Sequence, residues 1–474
     1  MDVRSPRAAT LLCGVAGVVA LLGLCAAQAS AAGAPSLVLG QPFTFTGEPV
    51  GSSASVVASA LERDGTAWVL TVNGPAIMIS ARAADGTFTA PASVSANFAA
   101  PPVLAVSDGT ATVAWLTVRL TTLQYQRVTV HVRRCTLSGC APGQAVYSWD
   151  QTGSPIYLGG GPINPQLAIA GAGGRAVVVF QRFGVPDPQM MWAQSEGSRF
   201  GAAQSFGVQG NADPAIVSEP NGRIFAAWFS DGGFENDVDG ECPHAAPIDW
   251  SQWSPAHGFS PVHSTAAGSG GYCASLNVVA TGDGATLAWR QGNHYFGVIN
   301  GPTNEKVWVS RQHGGAFSKP RAVLSGAFTI SLAAASDVVA VGAATGTNGP
   351  GPTPGWLPAV QVTSSVSGAP FSKPVLLDGM ANPPNVSVDS AGDVLATWFS
   401  DPGDTPLAGS EELAVAPPNG SFSAPIALDI GLAGAYSWSS ALIDTVGQQS
   451  FITLAGPATP TSTSASISGV FATP

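Results

Sequence analysis

Apolar residues recur along the chain in short runs of strand length, each closed by Gly, Asp-Gly or Asn-Gly. The runs share phrases. "NGRIFAAWFSD" (Asn221 to Asp231) and "AGDVLATWFSD" (Ala391 to Asp401) both end in Trp-Phe-Ser-Asp. An aromatic stands six residues after a turn glycine in Gly109/Trp115, Gly174/Phe180, Gly222/Trp228 and Gly392/Trp398, and five after it in Gly284/Trp289. An apolar run precedes each turn: "PVLAVS", "QLAIAG", "PAIVSE", "LNVVAT", "NVSVDS". This predicts strand, tight turn, strand, with Gly, Asp-Gly and Asn-Gly supplying the positive φ a short hairpin needs.

A second phrase, Phe-Ser/Thr-x-Pro, follows a second tight turn in "DGTFTAP" (Asp85 to Pro91), "GGAFSKP" (Gly314 to Pro320), "GAPFSKP" (Gly368 to Pro374) and "NGSFSAP" (Asn419 to Pro425), with a shorter "HGFSP" at His257 to Pro261. A strand precedes each, so every unit holds four strands. First turns fall near 64, 108, 173, 221, 283, 337, 391 and 446, a spacing of 44 to 65 residues. Four antiparallel strands at this period predict an all-β fold: a single β-propeller spanning 32–474. Eight blades are expected, with seven as the alternative because the units at 337 and 446 are degenerate. The last unit supplies only "SSALIDT", "QSFITLAG" and "SASISGVFAT". The run "LVLGQPFTFT" near the start is expected to complete it and remove the remaining sheet edges.

The second phrase resembles the Asp-box, or bacterial neuraminidase repeat, of sialidase-like propellers, a turn between third and fourth strands. The best copy is "SARAADGTFTAP" (Ser80 to Pro91), with Asp85-Gly86 at the turn and Phe88 in the aromatic place. The resemblance covers most of the chain as a repeat and implies the propeller fold. The sialidase activity of that family uses three arginines, a Tyr-Glu nucleophile pair and an Asp acid. Arg82, Arg133, Arg134, Arg182, Arg223, Arg290 and Arg311 are scattered through the repeats and do not map onto the three.

Composition refines this picture. Gly (57) and Pro (38) punctuate a chain that is 45% apolar, so they mark turns between strands rather than low complexity. Residues 1–31 form a signal peptide: Arg4 and Arg7, an apolar run from Ala8 to Leu24, then Ala-x-Ala cleavage sites. The expectation is a secreted, extracellular protein whose mature chain makes no stable membrane insertion. The net charge is −11, and without clustered Lys or Arg no nucleic acid partner is expected. Four cysteines lie beyond the leader; Cys135 with Cys140, and Cys242 with Cys273, are expected as disulfides, with a metal site as the alternative.

In this topology the tight turns share one face, and the longer loops, between second and third strands and between blades, share the other. Function is expected on the long-loop face. Asp231 and Asp401 open loops there, as turn initiators or as catalytic carboxylates. The loop after Asp231 places Glu235, Asp237 and Asp239 before Gly240, a start suited to calcium. His294, Tyr295 and Phe296, with Arg182 and Arg290 at the ends of second strands, are candidate ligand contacts. Two functions follow. One is a non-catalytic propeller that binds an extracellular glycan or protein. The other is a sialidase-like or other glycoside hydrolase using carboxylates near the channel mouth.

Overall fold

The computed structural model describes residues 37–45, 50–51, 55–122, 125–152, 166–182, 189–209, 212–230, 247–266, 272–282, 284–292, 305–346, 358–378, 384–400, 410–428, 442–457 and 464–473. These residues form eight antiparallel sheets, here blades 1 to 8 in chain order. Blade 1 is Ser55–Leu61, Ala67–Asn73, Ala76–Arg82 and Ala92–Ser95, and the same up-and-down order recurs. The first strands of blades 2 to 8 are Ala100–Ser107, Leu167–Ala172, Ala212–Ser218, Tyr272–Thr281, Ala327–Ala335, Asn385–Val388 and Leu442–Val446. Each packs against the first strand of the next blade, and Leu442–Val446 packs against Ser55–Leu61, so the sheets close into a ring. This is a β-propeller with its first strands innermost. Burial is deepest in the second strands: all of Ile224–Phe229 is buried, whereas the fourth-position strand Ile426–Ala427 is exposed.

The ring closes as the sequence pattern predicts. Blade 8 contributes Leu442–Val446, Gln449–Pro457 and Ser464–Thr473, and its fourth position is filled from the other end of the chain. Val38 pairs with Thr473, Phe43 with Gly469 and Val50 with Ala465. Phe43, Phe45, Phe88, Phe451 and Phe471 pack at this seam, and the Arg82 guanidinium lies 4.7 Å from the Phe43 ring centre. Gly469 is required here, since a Cβ would meet Phe451 at 2.7 Å and Phe43 at 3.0 Å.

Both repeated phrases have packing roles. Trp115, Phe180, Trp228, Trp289 and Trp398 each join a core shared with the preceding blade. The hydroxyl of Phe-Ser/Thr-x-Pro clips the fourth strand to the third. Thr89 Oγ1 accepts the Ala81 N–H at 2.8 Å, Ser318 Oγ that of Arg311 at 3.1 Å, Ser372 Oγ that of Ser364 at 3.2 Å and Ser423 Oγ that of Val415 at 3.2 Å. The Asp-box aspartate closes its own turn, Asp85 Oδ1 accepting the Thr87 N–H at 2.8 Å.

Cys135 and Cys140 form a disulfide across a hairpin pair. Cys242 and the leader lie outside the described residues, and Cys273 is placed only as strand backbone opposite Gln291. Among the described residues no helix is long and apolar enough to cross a membrane.

Candidate functional site

The hairpin turns of this ring lie at one face, and the connections after second and fourth strands lie at the other. Most of those connections, including 231–246, 293–304 and 401–409, lie outside the described residues. With them go Asp231, Asp401, Glu235, Asp237, Asp239, His294, Tyr295 and Phe296. What is described is the rim of strand ends that carries these loops.

Arg182 ends the second strand of blade 3 opposite Gln189, and its Nη1 donates to Gln189 Oε1 at 3.4 Å. Arg290 occupies the matching end in blade 5 and pairs with the buried Glu305 at 3.2 Å. The two Trp-Phe-Ser-Asp blades share a further feature. Asp249 stands opposite Trp228, and Glu412 stands opposite Trp398. The same register therefore puts a carboxylate beside the repeated tryptophan in both blades. Asp249 is buried and accepts from Ser264 Oγ at 2.5 Å; burial pushes its carboxyl up, against the lowering effect of that hydrogen bond. Glu412 accepts from Ser410 Oγ at 2.5 Å. Each of these carboxylates is thus engaged within its own blade. Among the described residues no group of His, Cys, Asp and Glu is placed to hold a metal ion.

Several arginines join neighbouring blades. Arg133 donates from Nη1 to Ser93 O at 2.6 Å, joining blades 2 and 1. Arg134 donates from Nη2 to Gly174 O at 3.1 Å, and Arg175 from Nη1 to Pro255 O at 3.1 Å, each reaching the following blade. Staples spread around a ring do not converge on one anion.

One cationic feature was missed from the sequence. All three lysines of the chain, Lys306, Lys319 and Lys373, fall in blades 5 and 6. From 306 to 373 there are five cations (Lys306, Arg311, Lys319, Arg321, Lys373) against one carboxylate, Asp337, a net of +4. This corrects the reading that basic residues nowhere cluster. The cluster is spread over a repeat, so no short window of sequence reveals it. The readable signal was the phrase "FSKP", which occurs at Phe317 and Phe371 only. A groove of about 360 Å³ opens there, lined by Arg311, Lys319, Arg321 and Phe371.

No protein-family model matches the chain, and no curated protein sequence matches it. Solved structures that share its shape do so distantly. An ulvan lyase described as a new polysaccharide lyase family aligns at 12% identity over 82% of this chain and 98% of its own, with a TM-score of 0.47. An α-L-arabinofuranosidase from Fusarium graminearum aligns at 12% identity over 64% and 91%, with a TM-score of 0.36. A sialidase from Streptococcus pneumoniae aligns at 8% identity over 92% and 98%, with a TM-score of 0.34. The assignment of the fold rests on the strand order and ring contacts.

Proposed function

We propose that this protein is secreted and binds an extracellular glycan or protein through the long-loop face of its propeller, without reacting with it. The observation that carries this reading is that the rim carboxylates at the described strand ends are engaged by neighbouring side chains. Asp249, Glu305 and Glu412 are each held by a neighbour in their own blade. Glycoside hydrolysis needs two carboxyl groups facing one bond, about 5–10 Å apart. Long loops on a rigid ring, with His294, Tyr295 and Phe296 in one of them, suit recognition instead. In this reading Glu235, Asp237 and Asp239 hold calcium and steady a loop tethered by a Cys242–Cys273 disulfide. A hydrolase using Asp231 and Asp401 is the second reading, favoured by the raised carboxyl of Asp249 beside Trp228.

The test is residues 32–474 presented with a broad glycan panel, sialosides included, in calcium, with retention and cleavage scored together by mass spectrometry. Retention without cleavage is expected. Cleavage abolished by Asp231→Asn or Asp401→Asn would replace this reading with the hydrolase. A chelator is expected to lower the melting temperature, and an unchanged value would remove calcium from the account.

A further inference from the structure

The groove between blades 5 and 6 lies on the tight-turn side, opposite the long-loop face. Its walls are the end of one third strand (Arg311), the link into the fourth strand and its first residue (Lys319, Arg321) and the next blade's turn (Gly368 to Ser372). Arg311 is its central cation. Its guanidinium lies 5.0 Å from the Phe371 ring centre, and its Nε and Nη2 are buried with no hydrogen-bond partner among the described residues. No carboxylate among the described residues forms an ion pair with Arg311, Lys319 or Arg321. A buried guanidinium with unspent N–H groups is costly unless something accepts from them. The backbone of Arg311 is fixed at both polar groups: its N–H donates to Ser318 Oγ at 3.1 Å and its carbonyl accepts from Ser318 N at 2.8 Å. The repeat that builds the blade therefore also holds the cation in place.

We propose that this groove binds a sulfate or carboxylate group carried on an acidic polysaccharide. Arg311 is the half-buried anchor, and Lys319 and Arg321, both exposed, form the charged rim. A guanidinium fork matches the planar spacing of two oxyanion oxygens. The groove is large enough for about one sugar ring. Pro370, Phe371 and Val323 give that ring an apolar wall between the cations. The charge of the whole chain, −11, repels a polyanion elsewhere on the surface and restricts binding to this patch. The site is separate from the long-loop face, so its success or failure leaves the proposed function standing.

The experiment compares retention of the full mature chain on dextran sulfate, polygalacturonate and neutral dextran, at several salt concentrations. The expected result is salt-sensitive binding to one or both acidic polymers and none to dextran. Lys319→Gln with Arg321→Gln, both exposed and so neutral for folding, should weaken binding at least tenfold. Arg311→Lys keeps the charge but loses the fork and should weaken it too. Arg223→Gln, a loss of one positive charge at an exposed turn of blade 4, should leave it unchanged. The proposal is overturned if neither acidic polymer is retained or if the paired variant binds like the parent. An equal loss with Arg223→Gln would likewise overturn it. Competition by inorganic sulfate at the same sulfate concentration, or equal retention of a single-stranded oligonucleotide, would overturn the saccharide assignment.

Discussion

Asp444 sits where the ring closes, on the first strand of blade 8, with Ser59 of blade 1 donating to its carboxylate. Burial raises its pKa from 3.8 to about 6, and the Ser59 hydrogen bond only partly opposes this. Folding therefore favours the protonated acid. The stability linked to this group is full below pH 3.8 and is lost as the pH climbs through about 6. The loss is at most about 3 kcal/mol. Asp444→Asn keeps an acceptor for Ser59 and removes the charge. It should be more stable than the parent at pH 7 and equal to it at pH 3.5, which urea melts at both pH values would show. Tryptophan substitutions separate packing from hydrogen bonding. Trp398 Nε1 donates to Asp378 Oδ2 at 3.1 Å, whereas Trp228 Nε1 is buried with no partner among the described residues. Both lose volume on change to Phe, but Trp398→Phe also loses a bond to a carboxylate. It should cost about 1–2 kcal/mol more than Trp228→Phe in denaturant midpoints at constant slope.

At the scale of the blade, the hydroxyl clip explains why Phe-Ser/Thr-x-Pro recurs. Thr89→Val keeps the shape but leaves the Ala81 N–H, on a fully buried residue, without its acceptor. The expected loss is about 1–3 kcal/mol, measured by equilibrium unfolding. An unchanged midpoint would mean that the phrase recurs for another reason. The blade units were legible because two local requirements repeat: a turn that needs positive φ and an aromatic that fills the gap to the preceding blade. Gly222 and Gly392 show the first, at φ 79° and 88°. The degenerate unit near 337 lacks the aromatic, and its small residues still pack: Ala340 and Ala343 are wholly buried in cores shared with blades 7 and 5. The two-residue pairings after the third strands, such as Arg199–Phe200 and Ala316–Phe317, left no separate trace because they share residues with the turn phrase. The cationic groove was legible only through the repeated "FSKP", because its walls come from two blades. Arg311 and Phe371 are 60 positions apart, and only the ring brings them together.

At the scale of the molecule, eight sheets in a ring leave two faces with different chemistry. One carries the strand ends that lead into the longer connections, among them those after the two Trp-Phe-Ser phrases. The other is built of tight turns and carries the positive groove in an otherwise acidic protein. Both faces depend on the ring being closed by chain that starts near Leu37 and ends near Thr473. That closure is what the whole account rests on, and its register is specific. Val38 lies opposite Thr473, and both side chains are exposed. A variant carrying Val38→Cys with Thr473→Cys, oxidised and mapped by peptide mass spectrometry, should form a cross-link within one chain and melt at a higher temperature. Thiols that stay reduced, or that join two chains, would contradict closure of the ring by its own first strand.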